Sequence, residues 1–401
     1  MNSIKEIFKI GMGPSSSHTM APRNAAIMFK ERYSDASSFI VTLYGSLAST
    51  GKGHMTDSAI LDILGENCTI DWQPDCYLPQ HPNGMRFKAY SSSKELIGDW
   101  TTFSIGGGDL SDNGKRESLQ SIYPDSKMDD ILNWCIKNGR SFWEYVQIHE
   151  SSDLWDYLAQ VWDTMKAAVE RGLDTEGVLP GGLNLSRKAA SFHIKAKGYS
   201  GSMQRRSMTF SYALAVAEEN ASGGIIVTAP TCGSSGVLPA VLYLNQKFYD
   251  FSDKRIIRAL ATAGLVGCII KENASVSGAE VGCQGEIGSA CSMAAAAAVQ
   301  LFGGSVSQIE YGASIGMEHF LGLTCDPICG LVQIPCIERN AFGATRAVDA
   351  NMYALLSDGK HIVSFDNVVE AMKRTGHDLP RLYKETAEGG LALLLNNRDN
   401  M

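Results

Sequence analysis

Three cysteines of this 401-residue chain lie in turns whose composition suits chemistry at sulfur. Cys283 sits between Gly278-Ala279-Glu280-Val281-Gly282 and Gln284-Gly285-Glu286. Cys325 lies in Leu323-Thr324-Cys325-Asp326-Pro327, and Cys336 in Gln333-Ile334-Pro335-Cys336-Ile337-Glu338-Arg339-Asn340. Glycine or proline beside a thiol lets the chain turn a thiolate inward with backbone N–H groups near the sulfur. Cys291 differs, because Ser289 to Ala298 reads as a helix core, whereas Cys329, next to Gly330, is open to either reading. The three turn-borne thiols lack the C-x2-C knuckle of structural zinc and of ferredoxins. A catalytic cluster with fewer than four protein thiolates suits them better, since its remaining iron is open to substrate. The plainer alternative is that they pack as small hydrophobes.

Two loops could supply protons and hydroxyls. Gly11-Met12-Gly13-Pro14-Ser15-Ser16-Ser17-His18-Thr19 forms a turn able to converge on an anion such as a carboxylate, or simply to cap a helix beginning near Ala21. Thr50-Gly51-Lys52-Gly53-His54 places a histidine between flexible turns, where an imidazole can point into a cavity and move a proton. His81-Pro82-Asn83-Gly84 reads as a turn. A third loop, Ala229-Pro230-Thr231-Cys232-Gly233-Ser234-Ser235-Gly236, precedes a helical run and resembles an anion cup, including the phosphate cup of a pyridoxal enzyme.

The elements that must position these loops fall into two parts. From Ala36 to about Asp109, short β-rich runs such as Ser38 to Tyr44 and Met85 to Tyr90 alternate with turns, predicting a small mixed α/β domain. After about Ser126 the spacing turns helical, with Met128, Ile131, Leu132 and Cys135, then Leu154, Leu158, Val161 and Met165. The expected fold class is α+β: a mixed domain over 1–122, then a large, mostly α-helical domain over 123–401.

Composition narrows the ligand. Charged residues are 19%, glycines number 40 and the net charge is -8, which provides no basic footprint for nucleic acid or an anionic membrane. Ile287 to Ile309 and Gly223 to Leu244 carry no charge, yet their polar residues and prolines suit a protein interior better than lipid. Met1 to Lys9 has no export pattern, and ten cysteines without one imply a reducing compartment, the cytoplasm. A small-molecule substrate is expected, with neither nucleic acid nor membrane as partner.

Gly13-Pro14-Ser15-Ser16-Ser17-His18-Thr19, Thr50-Gly51-Lys52-Gly53-His54, the run from Lys271 to Gly285 and Leu323-Thr324-Cys325-Asp326-Pro327 resemble, in matching order from about Ile10 to Leu394, motifs of the bacterial iron-sulfur L-serine dehydratases. The resemblance implies dehydration of L-serine to pyruvate and ammonia on a [4Fe–4S] cluster held by Cys283, Cys325 and Cys336, with the serine and histidine loops closing over it. It implies His54 as the base, with His18 as second choice, and Ser15, Ser16, Ser17, Thr19, Asn273 and Arg339 as substrate contacts. A homodimer is the expected assembly. Two positions depart from the pattern, Ala21 before Pro22 and Met55 after His54, where glycine is expected in each case. Three rivals stay open: cysteine desulfuration on the same cluster; a pyridoxal-dependent dehydratase, although no lysine, Lys271 included, has the expected neighbourhood; and a non-enzymatic amino-acid sensor that uses the serine-rich loop merely to bind.

Overall fold

The computed structural model describes residues 1–114, 121–386 and 389–396. The chain divides into two compact units, one of residues 12–118 and the other of residues 1–11 with 119–401. The architecture is α+β, with a small mixed unit and a large helical one.

In the smaller unit, strand Ser38–Tyr44 pairs in parallel with Cys68–Gln73 and antiparallel with Gly84–Tyr90. Leu96–Ser104 and Leu110–Ser111 extend the sheet antiparallel beyond that. Phe39, Val41 and Leu43, alternate residues of one strand, are buried, as are Met85, Phe87 and Ala89 in its partner. Against this face pack helices Ala21–Arg32 and Thr56–Leu64, through Ala25, Ala26, Phe29, Ile60 and Leu64. A parallel pair needs a crossover, and here it runs from Tyr44 to Cys68 through the turns that carry His54.

The larger unit is built on helix Ser289–Leu301, buried along nearly its whole length. Its run from Ala294 to Ala298 presents little side-chain bulk, so neighbours approach closely. A Cβ on Gly316 of helix Val306–Glu318 would lie 2.9 Å from Ser292 Cα, and Ser292 Oγ donates to Ala313 O across 2.7 Å. Helices Asp253–Asn273 and Cys336–Leu356 also pack against it. Met128, Ile131 and Cys135 of helix Met128–Asn138, and Leu154, Leu158, Val161 and Met165 of helix Leu154–Asp174, form buried stripes at the predicted spacing. The first residues belong to this body. Ile4, Ile7 and Phe8 are buried, and a Cβ on Gly264 would lie 2.8 Å from Ile4 Cβ. Among the described residues, no helix is long and apolar enough to cross a membrane.

Candidate active site

In the helical unit, Cys283 follows Gly282, whose φ of +77° and 2.7 Å approach to Leu323 O leave no room for a side chain. This turn swings Cys283 inward before the π-helical segment Gln284–Gly288. Cys325 is fixed by a parallel bridge on its other side: its N–H donates to Tyr383 O and its carbonyl accepts from Glu385 N, both at 2.8 Å. Cys283 Sγ, Cys325 Sγ and a Glu286 carboxylate oxygen lie within 4.8 Å of one another. Cys336 opens helix Cys336–Leu356 and feels the charges of Cys283 and Glu286.

Glycine makes room for the carboxylate of Glu286. A Cβ on Gly278 would stand 2.8 Å from Glu286 Oε2 and 3.1 Å from Cys325 Sγ, and one on Gly233 would stand 3.0 Å from Glu286 Oε1. Thr231 Oγ1 donates to Glu286 Oε1 at 2.7 Å, so the 229–236 loop holds a carboxylate of the protein itself. Asn340 locks that loop, donating to Gly233 O at 2.7 Å and accepting from Gly236 N at 2.9 Å. Arg339 is anchored by Thr324 O at 2.6 Å and Asp326 Oδ1 at 3.0 Å.

The electrostatics follow from crowding. A hydrogen bond from the Cys325 thiol, aided by Arg339, holds Cys283 below its ordinary value against the cost of burial. Donating that bond, together with burial, pushes Cys325 well up, and burial with the neighbouring negative charges does the same to Cys336. Burial raises Glu286, while burial, Glu286 and Cys283 raise Glu385 to about 8. Three thiols and two carboxylates around one guanidinium cannot all ionise without another cation, which makes this a donor set suited to a thiophilic metal.

The smaller unit holds a different arrangement. His18 and His54 are buried with ring centroids 4.6 Å apart. Thr19 Oγ1 donates to His54 O at 2.7 Å and Thr56 Oγ1 to His18 O at 2.5 Å, so each loop clamps the other's histidine. The partners define the tautomer of His54. Thr50 has one hydroxyl proton and donates it to Ser46 O at 2.9 Å, so it accepts from His54 Nδ1 at 3.2 Å. The lone pair therefore sits on His54 Nε2, which is buried and has no hydrogen-bond partner among the described residues. Burial, opposed by the contact to Thr50, lowers His54 to about 4. Both His18 ring nitrogens are occupied, Nδ1 by Ser17 Oγ at 2.8 Å and Nε2 by Ser46 Oγ at 3.0 Å. Burial and then the neighbouring His54 push His18 well below its ordinary value.

The remaining candidates divide. Ser15 Oγ accepts from His18 N and Thr19 Oγ1 from Ser15 N, both at 3.1 Å, so these hydroxyls build the turn. Ser16 makes no side-chain hydrogen bond among the described residues, and Ser17 is half-buried. Asn273 caps its own helix, donating to Ser126 O at 2.6 Å and Ile269 O at 2.8 Å. Cys291 is buried in the first turn of Ser289–Leu301, whereas Cys329 is exposed at φ 55°. Lys271 Nζ donates to Glu6 O at 3.4 Å. Sequence reasoning assigned no role to Glu286, Thr231, Asp326 or Glu385. A lone carboxylate just before an uncharged stretch was the available signal for Glu286, and Glu385 had none.

Buried thiols and carboxylates on a helical body, with a histidine pair on a small mixed unit, define an enzyme-like chain with a soft-metal donor set. A family model described as serine dehydratase alpha chain matches residues 76–392, and one described as serine dehydratase beta chain matches residues 3–70. The chain is 41% identical to an L-serine dehydratase of Streptomyces coelicolor, with 98% of each chain covered. It is 40% identical to L-serine dehydratase 2 of Escherichia coli and 38% identical to an L-serine dehydratase of Helicobacter pylori, each alignment covering 98% of this chain and 99% of the relative. The chain belongs to the serine dehydratase family, with alpha-type and beta-type parts in one polypeptide.

Proposed function

We propose that the protein is a lyase that dehydrates L-serine to pyruvate and ammonia, with a [4Fe–4S] cluster on Cys283, Cys325 and Cys336 and with His54 as the base. The names of its relatives support the substrate and the reaction. The observation that carries the base is the bare, buried Nε2 of His54.

The residues fit the cluster, because crowded thiols beside raised carboxylates need the positive charge that iron brings. When bound, the cluster supplies a Lewis-acidic iron without a protein thiolate for the serine hydroxyl. Arg339, held by Thr324 and Asp326, keeps one cation beside the thiolates, and Thr231 keeps the Glu286 carboxylate oriented.

His54 accepts the α-proton at Nε2. Its ring is held by Nδ1–H to Thr50, and burial makes the imidazolium short-lived, so the proton passes on to the departing hydroxide as water. The resulting 2-aminoacrylate tautomerises and hydrolyses to pyruvate and ammonia. Ser16 is the hydroxyl left for the substrate carboxylate, since Ser15 and Thr19 are engaged in the turn and Ser17 is bonded to His18. In this reading the assembly is a homodimer in the cytoplasm.

The test is anaerobic purification with iron and sulfide analysis, followed by pyruvate assay on L-serine with L-cysteine as comparison. Pyruvate formation from serine in proportion to iron content is expected. Activity that persists after iron removal would overturn the cluster, and preference for L-cysteine would overturn the substrate.

A further inference from the structure

L-Serine brings three polar groups to the reaction, and two of them have partners in the reading above: the β-hydroxyl goes to iron and the carboxylate to Ser16. The α-ammonium has none. A cation taken out of water is costly without a counter-charge, so the thiol site needs a carboxylate that is free to meet it.

Of the carboxylates beside the thiols, two are engaged. Glu286 accepts from Thr231 Oγ1 at 2.7 Å, and one of its oxygens lies within 4.8 Å of Cys283 Sγ and Cys325 Sγ. Asp326 accepts from Arg339 at 3.0 Å and from Leu391 N at 2.9 Å. The third is Glu385. Its carboxylate makes no hydrogen bond or ion pair among the described residues, and the residue is half-buried, so a ligand can reach what the protein leaves unpaired. It lies close to all three thiols: Glu385 feels the charge of Cys283, and Cys325 and Cys336 feel that of Glu385.

The backbone holds this side chain in place. Glu385 N donates to Cys325 O and Cys325 N to Tyr383 O, both at 2.8 Å, and the bond from Leu391 N to Asp326 ties down the chain further on. Glu385 stands at φ 58°, in the left-handed region that a glutamate rarely adopts. A residue stays there only where its surroundings over-determine it, and the bridge to Cys325 does so here.

We propose that Glu385 binds the α-ammonium of L-serine. The proposal rests on the serine dehydratase reading and assigns to this residue the preference for an α-amino acid over the same acid without its amine. The signs of charge agree with it. Glu385 stands among negative neighbours, Glu286 and Cys283, so an arriving ammonium is attracted by more than one group, whereas a deaminated acid brings only the repulsion of its own carboxylate.

The experiment uses the full chain, purified anaerobically with its iron, as wild type and as Glu385→Gln. Two unreactive probes are titrated by calorimetry: L-alanine, which keeps the α-ammonium, and 3-hydroxypropanoate, which is serine without its amine. Glu385→Gln should keep its iron and its Tm and bind L-alanine roughly tenfold to a hundredfold more weakly, the worth of a hydrogen bond between charged groups. KM for L-serine should rise by a similar factor, with a smaller change in kcat. Binding of 3-hydroxypropanoate should be unchanged or tighter, because a negative neighbour of its carboxylate is gone. Glu385→Asp, which restores the charge, should recover part of the affinity for L-alanine. Unaltered L-alanine binding in Glu385→Gln overturns the proposal. Equal weakening of both probes, or loss of iron, does so too and makes Glu385 a support of the cluster. A wild type that forms no pyruvate yet shows the expected contrast between probes refutes the reaction and leaves the ammonium site standing.

Discussion

The thiol site and the histidine pair are both buried, yet they respond to burial in opposite ways. Around Cys283 and Cys325 the burden is negative charge: thiols and carboxylates repel, Glu385 is raised to about 8, and Arg339 is the cation held beside them. Around His54 the burden is removed by neutrality, since burial lowers the ring to about 4 and leaves Nε2 bare. The first arrangement can ionise fully only with an added cation, and the second is neutral in the polypeptide alone. Breaking the thiol site should therefore remove a cofactor, and breaking the histidine site should leave the cofactor and remove a proton acceptor.

The largest expected effect is at the thiols. Serine at Cys283, Cys325 or Cys336 should reduce both bound iron and pyruvate formation to background, while Cys291→Ser keeps its iron and loses only packing stability, roughly 1–3 kcal/mol by chemical denaturation. An iron-replete, active Cys325→Ser protein would erase the distinction between turn-borne and helix-borne thiols.

Next is His54→Ala, expected to retain iron while kcat falls roughly 10²- to 10⁴-fold in the pyruvate assay. Its mirror is His18→Ala. Because both His18 ring nitrogens already have partners, that change should disturb the turn more than the proton transfer. A larger loss of kcat in His18→Ala, with stability intact, would exchange the roles.

Acid should act on the histidine site as well. His54 has a folded value of about 4, below an unfolded value near 6.5, so the unfolded chain takes up its proton first. Its contribution is fully present above pH 6.5 and is lost as pH falls toward about 4, amounting to about 3 kcal/mol at the acid end. Denaturant midpoints measured across this window should fall in the wild type and fall less in His54→Gln. Equal slopes would mean that the ring is not held neutral by burial.

Glu286→Gln sharpens the other side. It preserves the bond from Thr231 and removes one negative charge beside the thiols, so iron affinity in chelator competition should weaken by roughly 10- to 100-fold. Unchanged affinity would leave this carboxylate out of the donor set.

The smallest effect belongs to Met55, at φ 56° and ψ 31° in the left-handed region. A side chain there costs about 1–2 kcal/mol, so Met55→Gly should stabilise the protein by about 1 kcal/mol after the entropy of a freer unfolded chain is counted. Ala21, the other place where glycine was expected, has φ -64° in the ordinary helical region, and Ala21→Gly should not stabilise.

These residues show how far local patterns reach. Alternation in Ser38 to Tyr44 and helical spacing from Met128 and from Leu154 are short-range consequences of the backbone period, so both parts of the α+β fold were legible. The glycines and prolines beside Cys283, Cys325 and Cys336 marked turns for the same reason. The convergence of Glu286 with Cys283 and Cys325 was not legible, because it depends on helices meeting across a long stretch of chain. The reach of Tyr383 and Glu385 back to Cys325 is likewise a bridge over some sixty residues with no local signature.

The sequence by itself determined the fold class, the family resemblance and the residue types available for chemistry, since composition, period and turn propensity act over a few residues at a time. Tertiary structure decided which nitrogen of His54 carries the lone pair, which hydroxyls remain outside the serine turn, and that Glu385 stands beside the thiols without a hydrogen-bond partner among the described residues. Hydrogen-bond saturation and burial are properties of closed packing, so they exist only once distant segments have met.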